Sequence, residues 1–261
     1  MRLDKHEQIE TKEFRSRRLE QRAGYQTSPQ RAHDLIRSSI RTGLAQEAVL
    51  IGEHQLIHAM ATSRNAIRRA MKMLAAEGVV RRASGVGTSH ISDFWKIDLS
   101  RGLPETPVRF RADEVELVTL ERQWVPVTPL LRARLECDCE RALMVEQLLS
   151  VRSMGVALRT MYCPEPLVSG VLLGIDRSGY PAESYGEKLR RVFGVEFGTV
   201  DNVIEATLCD ERVAEILGQE PGSPILLREM VVRSLEAVPY LLVFTRYNSA
   251  RTSLADSSEI A

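Results

Sequence analysis

Residues 63–88 constrain this chain more than any other stretch. Ser63-Arg64-Asn65-Ala66-Ile67-Arg68-Arg69-Ala70 opens a helix whose apolar positions, Ile67, Ala70, Met71 and Leu74, share one face. Glu77-Gly78 ends it, since glycine most readily takes the left-handed position after a last helical turn. Val79-Val80-Arg81-Arg82 then reads as a strand, Ala83 to Gly87 as a turn and Thr88 to Ile91 as the returning strand. Upstream, Ser28-Pro29 supplies an N-cap and a first-turn proline for a helix with a stripe of Ala32, Leu35, Ile36 and Ile40, ended by Gly43. A second helix runs from about Gly52 to His58 through Leu56 and Ile57, with Ala59 beyond it, and Ala61-Thr62 make a tight turn before the Ser63 cap. Three helices and a glycine-tipped hairpin over residues 28–92 are the sequence form of a winged helix-turn-helix.

That form places side chains for a particular chemistry. The first turn of a recognition helix enters the major groove of a duplex. Ser63, Arg64 and Asn65 would stand there, and arginine pairs bidentately with guanine while asparagine reads adenine. Arg68, one turn on, suits a phosphate, as do the free N–H groups at the helix start. Gly85 and Gly87 let the wing backbone approach a minor groove closely. The bland alternative for Arg64 and Arg68 is a solvated helix face. His54 and His58 stand four apart, a spacing that can hold a metal. No cysteine or carboxylate cluster completes such a site, so no metal is expected and His54 reads as a groove-facing polar residue.

Charge supports the same expectation. The net charge is zero, yet residues 1–90 carry 16 Lys and Arg against 9 Asp and Glu, a net of +7, and residues 91–261 carry −7. A basic head attracts phosphates, and an acidic body is repelled by them. Residues 1–27 are charged and sparsely apolar, which reads as a mobile arm: either extra phosphate contacts through Arg15, Arg17, Arg18 and Arg22 or a solvated tail. No apolar run is long enough to span a bilayer, and the charged N-terminus lacks the apolar core of a signal peptide. The four cysteines, Cys137, Cys139, Cys163 and Cys209, show no metal or disulfide framework, so a reducing cytoplasm is the expected location.

After a linker at residues 93–112, with Gly102, Pro104 and Pro107, the pattern changes to long strands. Strands are expected over Val115–Trp124, Ala142–Arg152, Val156–Tyr162, Val200–Leu208, Ile225–Leu235 and from Pro239 to about Asn248. Helices are expected over Thr128–Leu135, Glu165–Leu173, Pro181–Phe193 and Asp210–Leu217, with Ser153-Met154-Gly155 turning the central hairpin. The class is α+β with a mainly antiparallel sheet, and residues 255–261 are a tail. All five histidines lie within the first 90 residues, so the body holds no histidine-based triad, and it has no phosphate-binding glycine loop. Neither an enzyme nor a cofactor is expected. Cys137 and Cys139, two apart, would not face each other on a strand, which favours ordinary reduced thiols over a redox switch.

Residues 28–92 resemble the reading head of the GntR family of bacterial regulators. The resemblance rests on Leu50-Ile51-Gly52-Glu53, Leu56-Ile57, Ser63 to Met71, Leu74, Glu77-Gly78 and Gly85-Val86-Gly87-Thr88, in the family's order and spacing. It departs at Ile51-Gly52, where the family has Pro-Ser, and at Asn65, where Thr or Ala is common. An altered side chain at a base-reading position implies a different operator. The resemblance aligns His54, Arg64, Asn65, Arg68 and Gly87 with DNA-contacting positions.

Residues 113–254 are similar to the UTRA effector-binding domain of HutC-type members, a fold like chorismate lyase. The similarity is carried by Ala142-Leu143-Met144-Val145, Gly155 to Pro164, Ile204-Glu205-Ala206, Ala214 to Gly218, Pro221 to Leu226 and Arg251. Members that bind phosphorylated sugars use an Arg-x-Arg pair and glutamates. Here the matching positions are Gln147, Leu149, Arg159 and Leu241, with Tyr247 at an aromatic polar position and Tyr240 a weaker neighbour. Two arginines are gone and one carboxylate has become Arg159, so a sugar phosphate is not implied. Arg159 becomes the candidate anchor for a carboxylate or phosphate, its alternative being a surface salt bridge.

The expectation is a ligand-responsive regulator, most simply a repressor, binding a palindromic operator as a homodimer, with an anionic small-molecule effector and no membrane partner. Two alternatives stand beside it: a regulator whose C-terminal domain only dimerises, and a lyase-like enzyme carrying a DNA-binding appendage.

Overall fold

The computed structural model of the chain describes residues 29–42, 53–60, 62–83, 87–90, 95–99, 114–168, 190, 194 and 196–255. The chain divides into two compact units, Met1–Ser92 and Asp93–Ala261.

In the first unit, α1 (Pro29–Thr42), α2 (Glu53–Met60) and α3 (Arg64–Ala76) precede an antiparallel hairpin of β1 (Val80–Ala83) and β2 (Gly87–His90). Ala32, Ile36 and Ile40 of α1, Leu56 of α2, and Ala66, Ile67, Ala70, Met71 and Leu74 of α3 are buried, with Val79 and Val80 beyond them. Leu35, expected in the α1 stripe, is instead exposed. Ser63 caps α3 as expected, its Oγ accepting from the Ala66 N–H at 3.2 Å. At the other end Gly78 takes φ +69°. Its N–H reaches the Ala75 carbonyl at 3.1 Å, and the Val79 N–H reaches that of Leu74 at 2.9 Å. This double closure turns the chain abruptly into β1. Buried His33 of α1 lies 2.8 Å from both Asp34 Oδ1 and Glu77 Oε1, and Arg37 also pairs with Glu77. One carboxylate at the end of α3 thus holds α1 in place.

The second unit is built on β4 (Val115–Pro126), β5 (Arg141–Val151), β6 (Met154–Pro164), β7 (Phe197–Leu208), β8 (Pro224–Ser234) and β9 (Pro239–Tyr247). They form one antiparallel sheet in the order β4-β5-β6-β9-β8-β7. α4 (Pro129–Leu135) follows β4, capped by Thr128, and α5 (Glu211–Leu217) follows β7, capped by Asp210 and closed by left-handed Gly218. α5 packs Val213, Ala214 and Leu217 onto Leu158 and Ile225, while α4 packs Leu135 onto Val231 and Leu242.

Three elements differ from expectation. The β5–β6 turn is the two-residue Arg152-Ser153, both left-handed at φ 49° and 63°, because strand pairing runs on to Val151 and Met154. Gly155 therefore sits inside β6, where α5 approaches so closely that a Cβ would lie 2.8 Å from the Ile216 carbonyl oxygen. The helix expected over Glu165–Leu173 begins as a 3-10 turn, Glu165–Leu167. Finally, the stretch read as linker contains β3 (Trp95–Asp98), paired in parallel with β10 (Thr252–Ala255). Trp95 and Ile97 are buried in a cluster with Val115, Leu149, Val156 and Tyr247. A four-residue strand whose partner lies at the far end of the chain leaves no local periodicity to read. The arm at 1–27, Ser28, Gly43, the wing tip with Gly85, most of the expected helix Pro181–Phe193 and the tail from residue 256 lie outside the described residues.

Candidate DNA-reading and effector sites

The reading surface follows from the α3 cap. With Ser63 fixed as N-cap, the inward face of α3 is spent on Ala66, Ile67, Ala70, Met71 and Leu74, and the outward face is left to Arg64, Asn65, Arg68, Arg69 and Lys72, all exposed. Arg69 and Lys72 were not singled out in the sequence, although their spacing from Arg64, Asn65 and Arg68 puts them on that face. Arg68 Nε lies 3.8 Å from Glu53 Oε2 of α2, a long pair between an exposed arginine and a half-buried glutamate that carries little energetic weight. His54 is exposed on α2, its ring centroid 6.4 Å from that of His58. Among the described residues no group of three His, Cys, Asp or Glu side chains is placed to hold a metal. Gly87 opens β2 opposite Ala83.

The second site is read from strand register. Paired residues on adjacent antiparallel strands project to the same face. Thr119 pairs with Gln147, Gln147 with Arg159, Arg159 with Thr245, Thr245 with Arg228, and Arg228 with Ile204. One row therefore crosses all six strands, and its four central members are polar. Gln147, Arg159, Thr245 and Arg228 are exposed by only 1, 6, 0 and 1%. Arg159 donates from Nη2 to Gln147 Oε1 at 2.6 Å, and Gln147 donates from Nε2 to Thr119 Oγ1 at 3.2 Å. Arg228 Nε donates to Asn202 Oδ1 at 2.9 Å. Thr245 Oγ1 is buried without a hydrogen-bond partner among the described residues.

Apolar clusters flank this row on the same face. On one side lie Leu143, Val145, Met161, Met230, Leu241 and Val243, and on the other Leu149, Ala157 and Tyr247 with Trp95. Leu149 and Leu241, which the family resemblance aligns with charged positions, are buried core residues. The structure brings Gln147, Arg159 and Tyr247 together: Tyr247 lies two residues from Thr245 on β9. Tyr240 stands at the far end of that strand, half-buried against the Leu241 cluster. At roughly 3.4 Å per residue, it is about 17 Å along β9 from Thr245. Arg159 is buried, and one of its interactions is the hydrogen bond to the buried Gln147 amide. Arg228 escaped sequence reasoning because nothing local relates it to Arg159. Only the register, with Thr245 between them, does so.

A winged helix-turn-helix with a cationic outward helix face, followed by a sheet domain with guanidiniums buried in its centre, defines a DNA-binding regulator with a ligand-taking second domain. Family models divide the chain in the same way: the UTRA domain model matches residues 111–253, and that of the bacterial regulatory proteins of the gntR family matches residues 29–89. The chain belongs to the GntR family of transcriptional regulators and carries a UTRA effector-binding domain.

Among solved structures, PhnF from Mycobacterium smegmatis superposes with a TM-score of 0.58 at 18% identity, covering 85% of this chain and 100% of that one. Its separate effector domain gives 0.50 at 20% identity, over 56% of this chain and 88% of that one. YydK from Bacillus subtilis subsp. subtilis str. 168 gives 0.50 at 18% identity, over 87% and 99%. These likenesses are of fold. No curated protein matches the chain by sequence. Among the described residues no helix is long and apolar enough to cross a membrane.

Proposed function

We propose that this regulator is a homodimeric, cytoplasmic repressor that releases a palindromic operator when its UTRA domain takes up an anionic small molecule. Ser63, Arg64 and Asn65 read bases in the major groove, Arg68 and Lys72 hold phosphates, His54 faces the groove from α2, and Gly85 and Gly87 let the wing approach the minor groove. In the effector domain Arg159 and Arg228 flank Thr245 across three adjacent strands, about 10 Å apart at strand spacings of about 4.8 Å. An effector of that span, carrying carboxylate or phosphate oxygens, would bond both guanidiniums and the Thr245 hydroxyl, with Gln147 orienting Arg159 and Tyr247 closing one side. The ligand is bound and released unchanged, and it acts by favouring one dimer geometry over another.

The observation that carries this reading is the buried polar row from Gln147 to Arg228, set between two apolar clusters. A leftover buried hydroxyl costs about 1–3 kcal/mol, a cost that a ligand oxygen removes. The test is thermal denaturation of the full chain against a panel of anionic and neutral metabolites. An effector at a hundred times its Kd stabilises by about 2.7 kcal/mol, and Arg159→Met abolishes the shift. The same compound releases a promoter fragment from the wild type. Stabilisation by neutral compounds alone, or equal stabilisation of Arg159→Met, overturns the effector assignment.

A further inference from the structure

The loop between α4 and β5 carries Cys137-Asp138-Cys139, which the regulatory reading does not use. On a strand these thiols would be kept apart, but residues 137–139 are in neither strand nor helix. Their Sγ atoms lie 2.9 Å apart, in thiol–thiol hydrogen-bond contact, and both residues are half-buried. Arg132 of α4 gathers the loop around one guanidinium. Its Nη1 donates to the Cys137 carbonyl at 3.3 Å and to Asp138 Oδ1 at 3.2 Å, and its Nη2 donates to the Cys139 carbonyl at 3.5 Å.

We propose that Cys137 and Cys139 are an oxidisable dithiol, which a hydroperoxide converts into a disulfide within the loop. One sulfur attacks the peroxide O–O bond, becomes a sulfenic acid and releases the reduced fragment as water or alcohol. The second thiol attacks the sulfenic sulfur, the S–S bond forms, and water leaves. Two electrons pass from the two sulfurs to the peroxide, and both thiol protons end on oxygen. A disulfide is about 2.05 Å long, so the sulfurs have less than about 1 Å to close. The span of two consecutive residues, at most about 7 Å, shortens in a bent loop into the range a disulfide accepts.

The other two cysteines are poor competitors. Burial pushes the Cys163 thiol up to about 12, and burial, with Asp210 adding to it, also raises Cys209. Both side chains are buried. Burial, together with the hydrogen bond shared with Cys139, raises Cys137 as well, which suits it to the second, resolving step. Cys137 packs against the cluster of Leu135, Val231 and Leu242, and Leu242 also lines a cavity of about 430 Å³ with Leu131, Tyr162 and Phe244. Drawing its sulfur toward Cys139 shifts one neighbour of that wall.

The test is stepwise oxidation of the full-length reduced protein with hydrogen peroxide, followed by thiol counting after denaturation and by peptide mapping. Free thiols fall from four to two per chain, the intact mass drops by two hydrogens, and the link maps between Cys137 and Cys139. Dithiothreitol restores all four. In Cys137→Ser the reaction stops at a sulfenic acid on Cys139 that a dimedone reagent traps. Retention of four thiols, bridges between chains, or loss confined to Cys163 or Cys209 overturns the proposal.

Discussion

Both ring nitrogens of His33 face carboxylate oxygens, which accept hydrogen bonds and cannot donate them, so the arrangement calls for the doubly protonated ring. Burial works against that charge, but the hydrogen bonds to Asp34 and Glu77 outweigh it and raise the His33 pKa above its ordinary 6.5. A raised folded value stabilises the fold fully below the unfolded pKa, and the contribution is lost as pH rises through the folded value. Amide protection in α1 and α3, corrected for intrinsic exchange, should therefore fall as pH rises from about 6.5 through the raised folded value. His33→Gln should flatten that dependence, and a wild-type profile unchanged over the window would refute the assignment. Glu77→Gln, which breaks the pairings with both His33 and Arg37, should cost about 1–3 kcal/mol in chemical denaturation. Glu77 was legible in the sequence as the end of α3. Its hold on α1 was not, because His33 lies 44 residues upstream and only the packing brings the two together. The same limit hid Arg228, which only strand register sets beside Thr245 and, across it, Arg159.

At the scale of elements, signals confined to a few neighbouring residues were readable, and pairings across the chain were not. Ser63, Thr128 and Asp210 each cap the helix they precede, with Asp210 Oδ1 accepting from the Val213 N–H at 2.8 Å. Asp210→Ala should lower stability by about 1 kcal/mol. The central hairpin is where the sequence places it, but its turn lies earlier, because Gly155 looks like a turn residue and is not one. Its role is close packing: any side chain there meets the Ile216 carbonyl and the Leu217 Cα on α5. Gly155→Ala should cost about 1–3 kcal/mol and loosen α5 from β6, seen as faster exchange of the α5 amides. A variant as stable as the wild type would mean that α5 can shift without loss. β3 and β10 show the opposite case. Trp95 and Ile97 alternate over too few residues to announce a strand, and Thr252–Ala255, their partner, reads as the approach to a tail.

For the molecule as a whole, the decisive property is that a neutral total hides a head at +7 and a body at −7. Attraction to a duplex belongs to the head, so binding should weaken steeply with salt despite a sequence pI of about 7.0. Removing one cation from a phosphate makes the slope of log K against log salt shallower by about 0.9 on duplex DNA. Arg68 is charged and exposed, and its described ion pair, with Glu53, is long, so its removal should act through that slope. The proposed homodimer presents Arg68 twice on a palindrome, once from each head. Arg68→Ala should therefore flatten the slope by about 1.8 and weaken binding to operator and random duplex alike. A change of about 0.9 would mean that one head engages, and no change would place Arg68 away from the backbone. Arg64→Ala isolates base reading: at fixed salt it should remove the preference for operator over random sequence, a discrimination of about 1–3 kcal/mol per base pair read. Footprints that match the wild type for both variants would show that the outward face of α3 does not meet the groove.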